Sequence, residues 1–361
     1  MRRLLTAVLP TLVLVLPLAA CSGDDEPGAA PEASVSTSPS PPAGASEATP
    51  EVTPEAPPAD SIADEPALPE VRHPVSLPAL MRQEPRGGRL RVLRTLERTP
   101  AYTRQEVSYR SDRLRVTGQL LRPRGRGPFP GIVLNHGYIE PSIYVNGQGL
   151  AREQVALATA GFVVLHTDYR GHAGSSPVPE LDRETRLGYT RDAVNAVATL
   201  ESLPYVDDDR LAMLGRSMGG GVTMNALVTQ PGLVDAAVVY ASVSSRFLDN
   251  VRHFSERGRP ETVAAFVDRF GSPEERPGFY RDLSPRTFFD RITEPVLALH
   301  GEVDATCPPR WARETQRLMR AAGVDSRLRF YEGEDHAFYD RWQDSMDLTI
   351  RFLRRQFRAA A

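Results

Sequence analysis

The sequence predicts an α/β domain in which a mainly parallel, doubly wound sheet carries a small helical cap insertion. Three observations predict it. Short, largely apolar runs at 131–135, 162–165, 211–214, 236–240 and 295–300 read as parallel strands covered on both faces. Segments with helical spacing alternate with them, as in a chain of βαβ units. Residues 22–85, by contrast, are dominated by Pro, Ala, Ser, Thr, Glu and Asp, with too few large apolar side chains to offset chain entropy. Of the 361 residues, roughly 270 are then left for folding, enough for one well-cored domain.

The first element is a leader. Arg2 and Arg3 precede an apolar run over 4–20, which ends in small residues before Cys21. A basic start, a short apolar stretch and a small-residue cut site make residues 1–20 an expected signal peptide. The segment also resembles a bacterial lipobox, which implies lipidation of Cys21 and attachment to the cell membrane on its extracytoplasmic side. The competing readings are an ordinary signal peptide or an uncleaved anchor. Pro10 and Pro17 weaken the run as a spanning helix, and it is at the short end of the length needed. Residues 21–85 follow as a low-complexity tether that could extend roughly 150 Å in polyproline geometry. Residues 86–361 are the expected folded domain.

Net charge is −3, which argues against a nucleic-acid partner. All 43 basic residues are arginines. With Cys21 assigned to lipid, Cys307 has no partner for a structural disulfide.

Within the domain, 106–109 and 114–121 alternate around a turn and read as an antiparallel hairpin. A strand over 131–135 leads into His136, Gly137 and Tyr138. Residues 148–160 read as a helix ending at Gly161, 162–165 as a strand, and 184–203 as one amphipathic helix. After a strand over 211–214 comes GRSMGG, and a helix is expected over 221–228. Residues 242–290 break into helical pieces carrying Phe247, Phe254, Phe266, Phe270, Phe279 and Tyr280, the expected cap. A strand ending at His300, a helix over 309–322, a strand over 327–331 and a helix over 341–357 complete the chain.

Gly215-Arg216-Ser217-Met218-Gly219 fits GxSxG, the nucleophile elbow of α/β-hydrolases, in which a strand turns sharply into a helix and exposes one serine. Serine is a weak nucleophile at neutral pH, so it needs a base, and the base needs a group to orient it. Asp304 and His336 follow Ser217 in the order this fold uses, each in a loop after a predicted strand. The rival acids are Glu302, Glu334 and Asp335, and the rival bases His300 and His172. No histidine pair has metal-ligand spacing with a carboxylate, and no cofactor is expected.

Together GRSMGG, NHGY, DYRGHAGSS, LHGEVDATCPP and YEGEDHAF resemble the catalytic domain of the prolyl oligopeptidase family of serine peptidases, within the α/β-hydrolase superfamily. That resemblance implies Ser217 as nucleophile, His336 as base and Asp304 as its orienter. It makes the backbone amides of Tyr138 and Met218 the oxyanion hole. Many peptidases of this family carry a large amino-terminal β-propeller, and the tether with residues 86–105 is not expected to make one. The expected function is an exported serine hydrolase acting on small peptides, with a carboxylesterase on small esters as the competitor within enzymes. Outside enzymes, the competitor is a surface binding lipoprotein on an inactive scaffold.

Overall fold

The computed structural model describes residues 67–360, all within one compact unit, Asp64–Ala361. The expected leader, Cys21 and most of the tether lie outside the described residues. The sheet has nine strands: β1 (Arg91–Arg98), β2 (Tyr102–Ser111), β3 (Leu114–Pro123), β4 (Phe129–Asn135), β5 (Val163–Thr167), β6 (Val206–Arg216), β7 (Ala236–Tyr240), β8 (Val296–Gly301) and β9 (Ser326–Tyr331). Their order is β1-β2-β3-β5-β4-β6-β7-β8-β9. Pairing from β5 through β9 is parallel, while the opening strands and the β3–β5 pair are antiparallel.

The central strands are apolar on both faces because both are covered. On one face Val133, Leu165, Met213 and Val239 point into a core shared with α2 (Leu187–Glu201) and α3 (Met218–Thr229). On the other, Ile132, Leu134, Val164, Leu214 and Val238 join Leu157 of α1 (Ala151–Thr159) and Leu353 of α6 (Trp342–Ala360). The period-2 alternation is thus present, but hidden in the sequence because neither set faces water. The cap between β7 and β8 includes α4 (Pro260–Phe270), and α5 (Pro309–Ala321) links β8 to β9.

Three boundaries differ from expectation. Leu77, Leu80 and Met81 are buried, with Leu77 and Met81 in the main core, so folded chain begins before residue 86. Strand β1 has no counterpart among the expected elements: it is an edge strand, exposed along nearly its whole length, and its register shifts at Val92/Arg94 and Thr95/Glu97 erase any alternation. The helix expected over 184–203 is broken. A short helix, Glu180–Glu184, is followed by Arg186 in a left-handed conformation, φ 62°, and only then does α2 begin.

The chain passes from β4 to β5 on one side, then crosses to β6 on the other side of β4. Such a reversal opens a crevice at the carboxyl ends of the two strands. Beneath it stands a column of rings. His136 packs against Tyr144 (4.7 Å), His166 (5.6 Å) and Tyr169 (4.5 Å), and Tyr169 stacks on Tyr189 (4.8 Å). Asp168 ties the column to the sheet, accepting from Thr117 Oγ1 (2.6 Å), Tyr144 OH (2.9 Å), Asn146 Nδ2 (2.7 Å) and Gly147 N (2.8 Å).

Burial lowers the pKa of both His136 and His166 to about 3. Each is therefore neutral in the folded protein over the range where the unfolded chain takes up a proton. Their contribution is fully present above the unfolded value near 6.5 and is lost as pH falls from there toward 3. We expect unfolding free energy to drop by about 2 kcal/mol per histidine between pH 7 and 5. Neither ring nitrogen of His166 has a hydrogen-bond partner among the described residues. Urea titrations at the two pH values should therefore show His166→Leu losing one histidine's share of the drop.

Candidate active site

Strand β6 ends at Arg216 and α3 starts at Met218, leaving Ser217 alone to make the turn. It does so at φ 55°, ψ −120°, a strained conformation for a residue with a side chain. Backbone bonds enforce it. Ser217 N donates to Tyr240 O (2.9 Å), while Ser217 O accepts from Gly220 N (3.0 Å) and Val243 N (3.2 Å). The turn also requires Gly219, where a Cβ would overlap the carbonyl oxygen of Asn135 at the end of β4. The same closeness brings the loop after β4 against the serine: a Cβ on Gly137 would stand 3.2 Å from Ser217 Cβ. Among the described residues, the backbone N–H groups of Tyr138 and Met218 have no hydrogen-bond partner.

Asp304 and His336 come together because β8 and β9 are parallel neighbours, with His300 opposite Phe330 and Gly301 opposite Tyr331. The loops that follow them leave the sheet side by side. Val303 N donates to Glu334 O (3.1 Å), and Ala305 N to Asp335 Oδ1 (3.2 Å). Asp304 is buried, and its Oδ1 accepts from Thr306 N (2.9 Å) and Cys307 N (2.7 Å). Oδ2 is left facing His336 Nδ1 at 2.9 Å. A carboxylate there selects the tautomer protonated on Nδ1, leaving Nε2 as a proton acceptor.

The rival residues have other partners. Asp335 Oδ1 accepts from the backbone N–H of His336 (2.7 Å), and the buried Glu334 accepts from Tyr339 N (2.8 Å) and Arg341 N, stapling the loop. His300 lies 3.4 Å from Asp304 Oδ2, but its Nε2 donates to Cys307 O (2.7 Å), and burial holds its pKa below the ordinary value. His172 is buried in the ring column, its Nδ1 3.2 Å from Arg170 O.

Ser217, Met218, Tyr138 and His336 line one cavity of about 400 Å³, and Phe247, Val251, Phe254 and Leu283 of the cap form its apolar wall. Asp304 stands behind His336. No hydrogen bond joins Ser217 Oγ to His336 among the described residues; Oγ lies 4.0 Å from Cys307 Sγ, whose pKa burial pushes up. Tyr138 lines this cavity, and its hydroxyl donates to Glu140 (2.6 Å). Sequence reasoning does not place Cys307, Glu184, Arg186 or Arg259 here. For Cys307 the signal is its position three residues after Asp304; for the other three there is none, since they depend on how the cap meets the segment before α2. A serine hydroxyl, an imidazole with one nitrogen held by a carboxylate, and two amides with no partner among the described residues, gathered around one cavity, are the groups that acyl transfer requires.

The sequence pattern of the prolyl oligopeptidase family matches residues 149–360. The uncharacterized peptidase YtmA of Bacillus subtilis is 29% identical over 198 residues, which span 55% of this chain and 72% of that protein. Among solved structures, an uncomplexed acylaminoacyl peptidase of Pyrococcus horikoshii superposes with a TM-score of 0.57 at 21% identity, covering 71% of this chain but 42% of that one. An acetyl xylan esterase from Paenibacillus sp. R4 superposes with a TM-score of 0.60 at 22% identity, covering 76% of this chain and 92% of that one. At such identities the two structures speak for the α/β-hydrolase fold.

Contact between the two loops hinges on Gly301, where a Cβ would overlap the carbonyl oxygen of Glu334 and stand 2.7 Å from that of Asp335. Backbone cannot retreat as a flexible side chain can. Gly301→Ala is expected to cost about 2 kcal/mol or more in urea unfolding, with the His336 loop displaced from Asp304.

Proposed function

The chain belongs to the prolyl oligopeptidase family of serine hydrolases, and from that premise we propose that it cleaves small peptides through an acyl-enzyme formed on Ser217. The observation that carries this reading is the 2.9 Å bond between His336 Nδ1 and Asp304 Oδ2, beside the cavity that His336 shares with the strained serine. In the proposed cycle His336 Nε2 takes the proton from Ser217 Oγ as the oxygen attacks the substrate carbonyl. The Ser217–His336 contact tightens when substrate binds. The amides of Tyr138 and Met218 receive the oxyanion. His336 then returns the proton to the leaving amine, and the acyl-enzyme is hydrolysed by a water that the same imidazole activates. Asp304 holds the tautomer and stabilises the imidazolium without taking its proton.

Ester hydrolysis is the second reading. The described residues ahead of β2 supply one helical turn and one edge strand, nothing that would filter peptides by size. With either substrate, we propose that residues 1–20 serve as an export signal and Cys21 as a lipid anchor, on the strength of Arg2, Arg3 and the apolar run before the cysteine. Among the described residues no helix is long and apolar enough to cross a membrane.

Ser217→Ala should lower kcat by at least about 10³-fold on every active substrate, and Asp304→Asn by about 10⁴-fold. Unchanged turnover in Ser217→Ala would dismiss the nucleophile. Turnover of 4-nitrophenyl butyrate with none of N-acetyl-alanine 4-nitroanilide would assign the esterase reading; a fluorophosphonate that leaves Ser217 unlabelled would favour the inactive scaffold. In a bacterial host, labelled palmitate should enter the full-length chain and not Cys21→Ala.

A further inference from the structure

The cavity beside Ser217 has a charged side. Its ionisable lining consists of Tyr138, Glu184, Arg186, Arg259 and His336. Glu184 is engaged twice by Arg259, Nη1 to Oε1 at 2.5 Å and Nη2 to Oε2 at 3.1 Å, and Glu180 lies 3.9 Å from the same guanidinium. Arg186 has no such counter-charge. Among the described residues no carboxylate lies within ion-pair distance of it, and its side-chain hydrogen bond goes to the carbonyl of Arg183 (3.1 Å).

Arg186 is nevertheless held in place. Its guanidinium carbon lies 5.7 Å from the centre of the Tyr138 ring and 5.8 Å from that of Tyr189, within cation–π range of both. Its backbone is left-handed, φ 62°, which costs on the order of 1 kcal/mol or more for a residue with a Cβ. Thr190 fixes that geometry, donating to the Arg186 carbonyl from its N–H (2.9 Å) and its Oγ1 (3.0 Å). A helix continuing from Glu184 would need none of this. Helix α2 starts at the next residue with no acidic side chain in its first turn, so its positive end adds to the local field.

Resting on the reading that Ser217 is acylated by substrate, we infer that Arg186 is a specificity-determining residue that seats a carboxylate on the substrate. The preferred substrate then carries an anionic group for Arg186 and an apolar portion for Phe247, Val251 and Leu283. A guanidinium without a counter-charge, set into a largely apolar cavity, attracts an anion far more strongly than it would in water. The same charge disfavours a substrate ammonium at that wall.

Two matched pairs test this. 4-Nitrophenyl hydrogen glutarate against 4-nitrophenyl methyl glutarate places the carboxylate on the acyl side. N-acetyl-alanyl-alanine against its amide places it on the leaving side. In wild type, kcat/KM should favour the acid in one pair by about tenfold to a hundredfold, the worth of a charged hydrogen bond. Arg186→Gln should bring that ratio to about one, and Arg186→Lys to an intermediate value. Each ratio is taken within one preparation, so loss of folded protein cancels. Wild-type ratios near one in both pairs, or a preference that survives in Arg186→Gln, would overturn the inference. Failure of Ser217 to label with a fluorophosphonate, together with no turnover, would instead remove the hydrolase reading. The seat is then decided by binding: glutarate raising the wild-type melting temperature but not that of Arg186→Gln supports it, and no rise in wild type overturns it.

Discussion

The contact on which the site depends is between Gly219 and the carbonyl oxygen of Asn135, where the start of α3 rests directly on the end of β4. No side chain fits between them. That closeness sets the angle at which β6 turns into α3, and so the strained backbone of Ser217. It also lays Gly137 against the serine, so that the loop after β4 and the elbow after β6 share one crevice. Two unpaired amides and a hydroxyl meet there because the chain reverses its winding direction at β4.

A second contact of the same kind operates on the far side. Gly301 lets the loop after β8 touch the loop after β9, and the parallel register of those strands puts Asp304 and His336 at matching heights. Asp304 is buried and bonded on one oxygen by its own loop's amides, so it has a single direction in which to hold the imidazole. The geometry of the three side chains is thus set by backbone approach, with the side chains filling positions the sheet already defines.

Much of this was legible because the chemistry lies at strand ends. Apolar runs mark the central strands, GxSxG and LHGEVDA fall where two of those runs stop, and YEGEDHA follows the alternating strand expected over 327–331. What escaped has identifiable causes. Strand β1 is exposed and its register irregular, so neither burial nor alternation announces it. Leu77 and Met81 are buried apolar residues within a stretch whose average composition reads as tether. The break at Arg186 leaves no trace in helical spacing, because arginine carries no local signal for a left-handed backbone. The cavity's charged side is equally silent, since Glu184 and Arg259 pair across 75 positions of sequence.

The cap has an apolar nucleus of its own, in which Phe247, Phe266, Phe279, Tyr280 and Leu283 pack together and meet the main core through the partly buried Leu187. A segment that is internally cemented can change its inner lining without disturbing the β4, β6, β8 and β9 ends. Evolution, or an engineer shuffling such caps between scaffolds, can therefore retune what enters the crevice while leaving Ser217, Asp304 and His336 where they are.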